Sequence, residues 1–215
     1  LMLAFFIVLF ALSPVYGTFD YMQLVLQWPP AYCDNKHCQR IPRNFTIHGL
    51  WPDNQNNLLN NCKPSDVYSG IPDVREQKKM DDRWPDLTTI KAKNMKEQKF
   101  WEYEYNKHGT CCQERYNQEE YFNLTMKLKD KFDLLSALRN HRITPGLTRS
   151  IKQFGSAIQT VTNVFPNLKC ITARGGSLAL LEVGICFDPD AANVIPCHRP
   201  WTCHSDENTG IKLLP

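Results

Sequence analysis

Apolar and polar positions alternate with a period of two in two places along the chain. In FDYMQLVLQW (19–28), Met22, Leu24, Leu26 and Trp28 share one face while Tyr21, Gln23 and Gln27 share the other. That is the pattern of a half-buried strand. NFTIH (44–48) repeats it, with Phe45 and Ile47 inward and Thr46 and His48 on the opposite side. Strands sharing a sheet would aim Gln27 and His48 into one cleft. From Asn117 to Asn140 the step changes to three and four. Tyr121, Leu124, Leu128, Phe132, Leu135 and Leu138 predict one helix, opened by Asn117 and Glu120 as a capping pair. Further on, Gly175-Gly176 separates ITAR from SLALLEVGICFD, which predicts a hairpin entering a buried strand. Residues 53–82, rich in Asn, Asp, Ser and Pro, read as exposed loops and short helices. Strands at both ends of a helical middle predict a single α+β domain.

The amino end does not fit that domain. Residues 1–12, LMLAFFIVLFAL, are uncharged and apolar, and Ser13-Pro14 and then Gly17 follow. The run is too short to span a membrane and reads as a signal peptide over residues 1–17, which leaves residues 18–215 as a secreted domain without a membrane anchor. All nine cysteines lie beyond it. In a secreted chain they form a disulfide framework, and an odd number leaves at least one thiol over. Paired C-x-x-C knuckles are absent, so a zinc site is not expected. Two sequons, at Asn44 and Asn123, suit the same compartment. The 215 residues are 42% hydrophobic, which excludes a disordered chain, and their formal charge of +3 is compatible with a polyanionic partner without establishing one.

Two segments concentrate the chemistry. In FTIHGLWPDN (45–54) a strand is expected to end at His48-Gly49 and turn through Trp51-Pro52. Taken alone, His48 is more simply a structural histidine. In FWEYEYNKHGTCC (100–112), helical spacing puts Phe100, Glu104, Lys107 and His108 on one face. The plain reading is a surface ion pair ending at a Gly109 cap. Tyr103 stands where a zinc-protease helix needs its first histidine, so that chemistry is excluded. Together the segments supply two imidazoles, a carboxylate and an ammonium. Histidine can give or take a proton near neutral pH. RNA carries its own nucleophile, the ribose 2′-OH, so this set suits phosphodiester cleavage without metal or other cofactor.

FTIHGLWP and FWEYEYNKHGTC resemble the two active-site segments of the ribonuclease T2 family. The likeness runs from about Phe19 to the end and resembles most the S-RNases, the style self-incompatibility ribonucleases of the nightshade family, in FDYMQLVLQWP, RIPRNFTIHGLWPDN, RWPDLT, PNLKC, EVGICFD and GIKLLP. The resemblance implies a disulfide-stapled domain with a central antiparallel sheet and packed helices. It also implies a secreted, monomeric endoribonuclease acting on single-stranded RNA through a 2′,3′-cyclic phosphate. His48 would protonate the leaving 5′-oxygen, His108 would take the 2′-OH proton, and Glu104 and Lys107 would stabilise the pentacovalent phosphate. Gln27, Asp86, Leu87 and Phe100 would line a base pocket; Leu87 and Phe100 read equally as core. Tyr103 replaces a histidine that touches phosphate in many relatives. The implied bridges are Cys33–Cys38, Cys62–Cys111, Cys170–Cys203 and Cys186–Cys197, with Cys112 spare. The resemblance further implies a pollen F-box protein as partner, met by the variable stretch 54–80. A defence or phosphate-scavenging ribonuclease without such a partner is the alternative, and a binding protein with dead chemistry is disfavoured by the intact quartet.

Overall fold

The alternating segment at 19–28 folds as β1 (Tyr21–Gln27), and every residue of it is buried rather than half-buried. Its position explains why. After the short helix α1 (Pro29–Tyr32), the chain returns as β2 (Thr46–Asp53), and β1 lies between β2 and a later strand. The helical middle is α2 (Val74–Arg83), α3 (Lys91–Glu97), α4 (Lys99–Lys107), a 3-10 turn at Gly109–Cys112, α5 (Gln118–Lys131) and α6 (Leu134–Asn140). Then come β3 (Thr148–Ser150), α7 (Ile151–Thr162), β4 (Asn167–Thr172), β5 (Leu178–Phe187), β6 (Val194–Ile195) and β7 (Gly210–Lys212). This computed structural model describes residues 19–62, 67–199, 201, 203 and 205–215. The expected signal peptide, residues 1–17, lies outside the described residues.

One sheet holds all seven strands, in the order β2-β1-β5-β7-β3, with β4 and β6 also paired to β5. Pairing is antiparallel except between β5 and β7, where Ala179 meets Lys212 in parallel. Register divides the central strands into two faces. Met22, Leu24, Leu26, Ile47, Leu50, Val183, Ile185 and Phe187 belong to the main core, together with Trp84, Trp101, Tyr105, Tyr121 and Phe122 from the helical side. The other face carries Gln23, Gln27 and Glu182, and Gln27 is in register with both Thr46 and Glu182. His198 packs on Tyr21 at 5.2 Å between ring centroids, and Arg199 Nη1 binds Asp53 Oδ2 at 2.6 Å. That segment covers the second face and buries the polar side of β1.

Two irregularities matter for the site. Leu26 pairs with Ile47 but Val25 pairs with Gly49, so His48 is an extra, bulged residue. The expected turn after Gly49 is absent, and β2 continues through Trp51-Pro52 to Asp53. Lys169 pairs with Glu182 but Cys170 pairs with Leu180, which makes Leu181 a second bulge. The single helix expected over 117–140 is two helices. Asn117 and Glu120 do form a capping box on α5. At Phe132 the backbone turns extended (φ −123°, ψ 109°), and Asp133 caps α6 by accepting from Ser136 N at 3.0 Å. A new cap satisfies backbone donors at the break and frees Phe132 to pack on Phe187.

Disulfides join Cys33–Cys38, Cys62–Cys111, Cys170–Cys203 and Cys186–Cys197. Cys112 is a buried free thiol whose pKa burial pushes up to about 12. The Cys62–Cys111 bridge ties the 53–62 loop to the turn that follows α4. A Cys62→Ser/Cys111→Ser variant should lose about 2–5 kcal/mol in urea unfolding of the non-reduced protein. In the wild type, a thiol reagent should find nothing before unfolding and one thiol after it. Rapid native labelling would contradict the burial of Cys112.

Candidate active site

His48 reaches the open side of the sheet because its bulge re-aims the side chain, a common use of bulges beside active sites. The bulge leaves its carbonyl outside the ladder, and the Trp84 indole donates to it at 2.8 Å. The Tyr121 hydroxyl donates to the next exposed acceptor, the Leu50 carbonyl, at 2.8 Å. Two core aromatics thereby clamp β2 on both sides of Gly49. A side chain at position 49 would collide with the Glu104 carboxylate and the Trp51 indole, so the close approach of α4 requires glycine there.

The structure brings His48, Glu104 and His108 together. His48 Nε2 lies 3.8 Å from Glu104 Oε1, while its Nδ1 is 2.7 Å from Glu182 Oε1. Trp51 Nε1 donates to Glu104 Oε2 at 3.3 Å. The Trp51 ring stacks on His108 at 4.9 Å and 24°, and meets His48 edge-on at 5.3 Å. Phe100 stacks beside His48 at 6.4 Å. Lys107 is at the last position of α4, with its ammonium 5.5 Å from the centroid of the exposed Tyr103 ring. His108 caps α4 and is 5% exposed, yet neither ring nitrogen has a protein hydrogen-bond partner. Buried polar atoms are normally satisfied, so two unpartnered nitrogens on one ring require an explanation.

Burial and charge set these groups apart. Burial, then the Lys107 ammonium and His48, lowers the His108 pKa from 6.5 to about 3. Burial also raises the Glu104 carboxyl above its ordinary range, against the lowering pull of His48, Trp51 and Lys107. Glu182 behaves oppositely. Burial pushes it up, but the hydrogen bond from His48 and the nearby Lys169 ammonium outweigh that and hold it below the carboxylate range.

The remaining expected residues divide. Gln27 is 2% exposed and occupies the polar face beside Glu182. Leu87 is buried, and its carbonyl accepts from Gln39 N, as a packed structural residue would. The Asp86 carboxylate accepts from Thr88 N and Thr88 Oγ1 at 2.8 and 2.7 Å. It borders a polar cleft of about 260 Å³ with Lys93, Glu97 and Lys99, a lining that includes neither histidine. Trp51, Glu182 and Lys169 were missed. The signal for Glu182 was present, a lone carboxylate inside the apolar run SLALLEVGICF. Among the described residues, no group of three or more His, Cys, Asp or Glu side chains is placed to hold a metal.

The depressed His108 pKa makes a prediction. Between pH 6.5 and about 3 the unfolded chain binds this proton and the folded one does not, so acid favours unfolding in that window and has no effect through His108 above it. Glu182 adds to the acid sensitivity and Glu104 opposes it. Urea midpoints should fall as pH drops from 6.5, and His108→Gln should reduce the slope. An unchanged slope would place the acid sensitivity elsewhere.

Comparison with known proteins now bears on the site. Residues 19–197 match the model of the ribonuclease T2 family. The chain is 50% identical over 210 residues to Ribonuclease S-7 of Nicotiana alata, covering 97% of this chain and 95% of that protein. It is 54% identical to Ribonuclease S-6 of the same species, over 96% of this chain and 94% of that one. The crystal structure of the Nicotiana alata SF11-RNase, associated with gametophytic self-incompatibility, superimposes with a TM-score of 0.85 at 43% identity, over 92% of this chain and all of that one. A ribonuclease MC1 variant in complex with 5′-GMP gives a TM-score of 0.79 at 31% identity, over 91% of this chain and 100% of that one. With both histidine segments inside the matched region and the sheet and helices arranged as in these relatives, the chain belongs to the ribonuclease T2 family.

Proposed function

We propose that this protein is a secreted endoribonuclease that cleaves single-stranded RNA through a 2′,3′-cyclic phosphate, with His108 as general base and His48 as general acid. The observation that carries the reading is the unpartnered His108, neutral by burial and stacked on the same Trp51 ring that meets His48 edge-on. A neutral imidazole takes a proton on its bare nitrogen far more readily than it gives up its N–H. The ribose 2′-OH attacks phosphorus and its proton passes to His108. The bond from phosphorus to the 5′-oxygen breaks as His48 Nε2–H protonates the departing oxygen. The Glu104 carboxyl, which burial raises above its ordinary range, and the Lys107 ammonium stabilise the pentacovalent phosphate.

The half-buried Phe100 ring beside His48 supports base stacking, which tolerates sequence. Tyr103, exposed beside Lys107, is assigned to phosphate. Gln27, Asp86 and Leu87 are assigned to the walls of the base site, not to the chemistry. Asn44 and Asn123 are both exposed, as glycosylated asparagines must be. Among the described residues no helix is long and apolar enough to cross a membrane. Similarity to the S-RNases supports a role in self-incompatibility in the style, with residues 54–80 meeting a pollen F-box protein.

Purified protein should cleave single-stranded RNA in EDTA and release 2′,3′-cyclic phosphate ends, with a bell-shaped pH profile. His48→Ala and His108→Ala should each lower kcat by roughly 10²–10⁴-fold. Full activity in either variant, or loss of wild-type activity in EDTA, would overturn the mechanism. Replacing residues 54–80 with those of another S-RNase should leave RNA cleavage nearly unchanged and alter which pollen is rejected. Unaltered rejection by the folded, active graft would remove the segment from recognition.

A further inference from the structure

Glu182 is 2% exposed and sits within the apolar strand β5, a place where an ionised carboxylate is unfavourable unless it is paired. Oε1 is hydrogen-bonded, whereas Oε2 makes no hydrogen bond and has only the ion-pair contact of a lysine. Oε1 is 2.7 Å from His48 Nδ1, and Oε2 is 3.1 Å from Lys169 Nζ. The backbone on each side is built for this contact. His48 is the extra residue of one bulge, and Leu181, directly before Glu182, is the extra residue of the other. Two independent departures from regular pairing converge on one hydrogen bond.

We propose that Glu182 is a positioning residue for His48, and that Lys169 in turn fixes Glu182. Accepting from Nδ1–H leaves Nε2 as the nitrogen that faces Glu104 and the opening. The contact selects the Nδ1–H tautomer whenever the ring is neutral, as a carboxylate does for a catalytic imidazole elsewhere. The titratable groups around the ring are Glu182 from β5, Lys169 from β4, Glu104 and Lys107 from α4, and His108 after α4. Among the described residues, Glu182 alone is within hydrogen-bond distance of Nδ1. The inference rests on the reading of His48 as the proton donor.

The test uses a dinucleoside monophosphate substrate and protein labelled with ¹⁵N at histidine. Glu182→Ala should lower kcat roughly 10–10²-fold, less than His48→Ala, with KM within about twofold. Long-range ¹H–¹⁵N spectra should show the neutral His48 ring moving from the Nδ1–H to the Nε2–H form. Glu182→Gln, which keeps an acceptor oxygen, should restore most of kcat and the Nδ1–H form. Lys169→Met changes a half-exposed side chain and keeps the fold testable if Glu182→Ala does not fold; it should lower kcat several-fold with KM unchanged. Unchanged kcat, or a fall in kcat without a change of tautomer, would overturn the positioning role. A tautomer change in Glu182→Ala combined with full activity of His48→Ala would instead overturn the role given to His48 while leaving the contact intact.

Discussion

The bulge at His48 is the constraint on which the site depends. Side chains on a strand alternate between faces, so one extra residue exchanges the faces of everything beyond it. Without that residue, Trp51 would leave the face on which it touches Glu104 and His108, and Gly49 would no longer lie under α4. A bulge also leaves backbone groups unpaired, and a buried unpaired carbonyl is costly. The Trp84 indole removes that cost at His48, and Trp84 is itself held where its own carbonyl receives the Trp101 N–H at 2.7 Å. The position of the His48 imidazole is thus set by a chain of buried indoles running into the helical layer.

The two histidines meet at the Trp51 ring and have opposite surroundings. His48 is partly open to solvent and bound on Nδ1 by a carboxylate, whereas His108 is buried against Trp51 beside a lysine, with no acceptor for its proton. One fold therefore holds a carboxylate-bound imidazole next to one that burial keeps neutral. Glu104 touches His48 and the Trp51 indole and is kept above its usual range by burial. Paired titratable groups pushed apart by environment are a general route to separate acid and base roles.

Much of this was legible in the sequence, and the parts that were not share a cause. The strands at 19–28 and 44–48, the capping box at Asn117 and the hairpin at Gly175-Gly176 are local patterns and are present, although β2 runs on to Asp53. The grouping of Glu104 and His108 followed from helical spacing. Burial of β1 on both faces was hidden because its cover, His198 and Arg199, lies far along the chain. The split at Phe132 was hidden because the apolar period continues through it; only Asp133 and Ser136 mark the new cap. Bulges depend on the partner strand, so neither could be read from one segment. For Asp86 and Leu87 the base-site assignment comes from the likeness alone, since a local turn and the core account for their positions.

Cys112 stands beside Cys111, and Cys62 bonds to only one of them. An oxidising chain could close either ring, and the two isomers differ by a single residue of spacing. Exchange between them needs a thiolate. With a pKa of about 12 in the folded protein, Cys112 is ionised to only about one part in 10⁵ at pH 7, and it is shielded by the same packing that raises that pKa. Folding therefore selects the bridge and then withdraws the one neighbouring group able to reopen it, so the connectivity is protected by the core rather than by the strength of the bond.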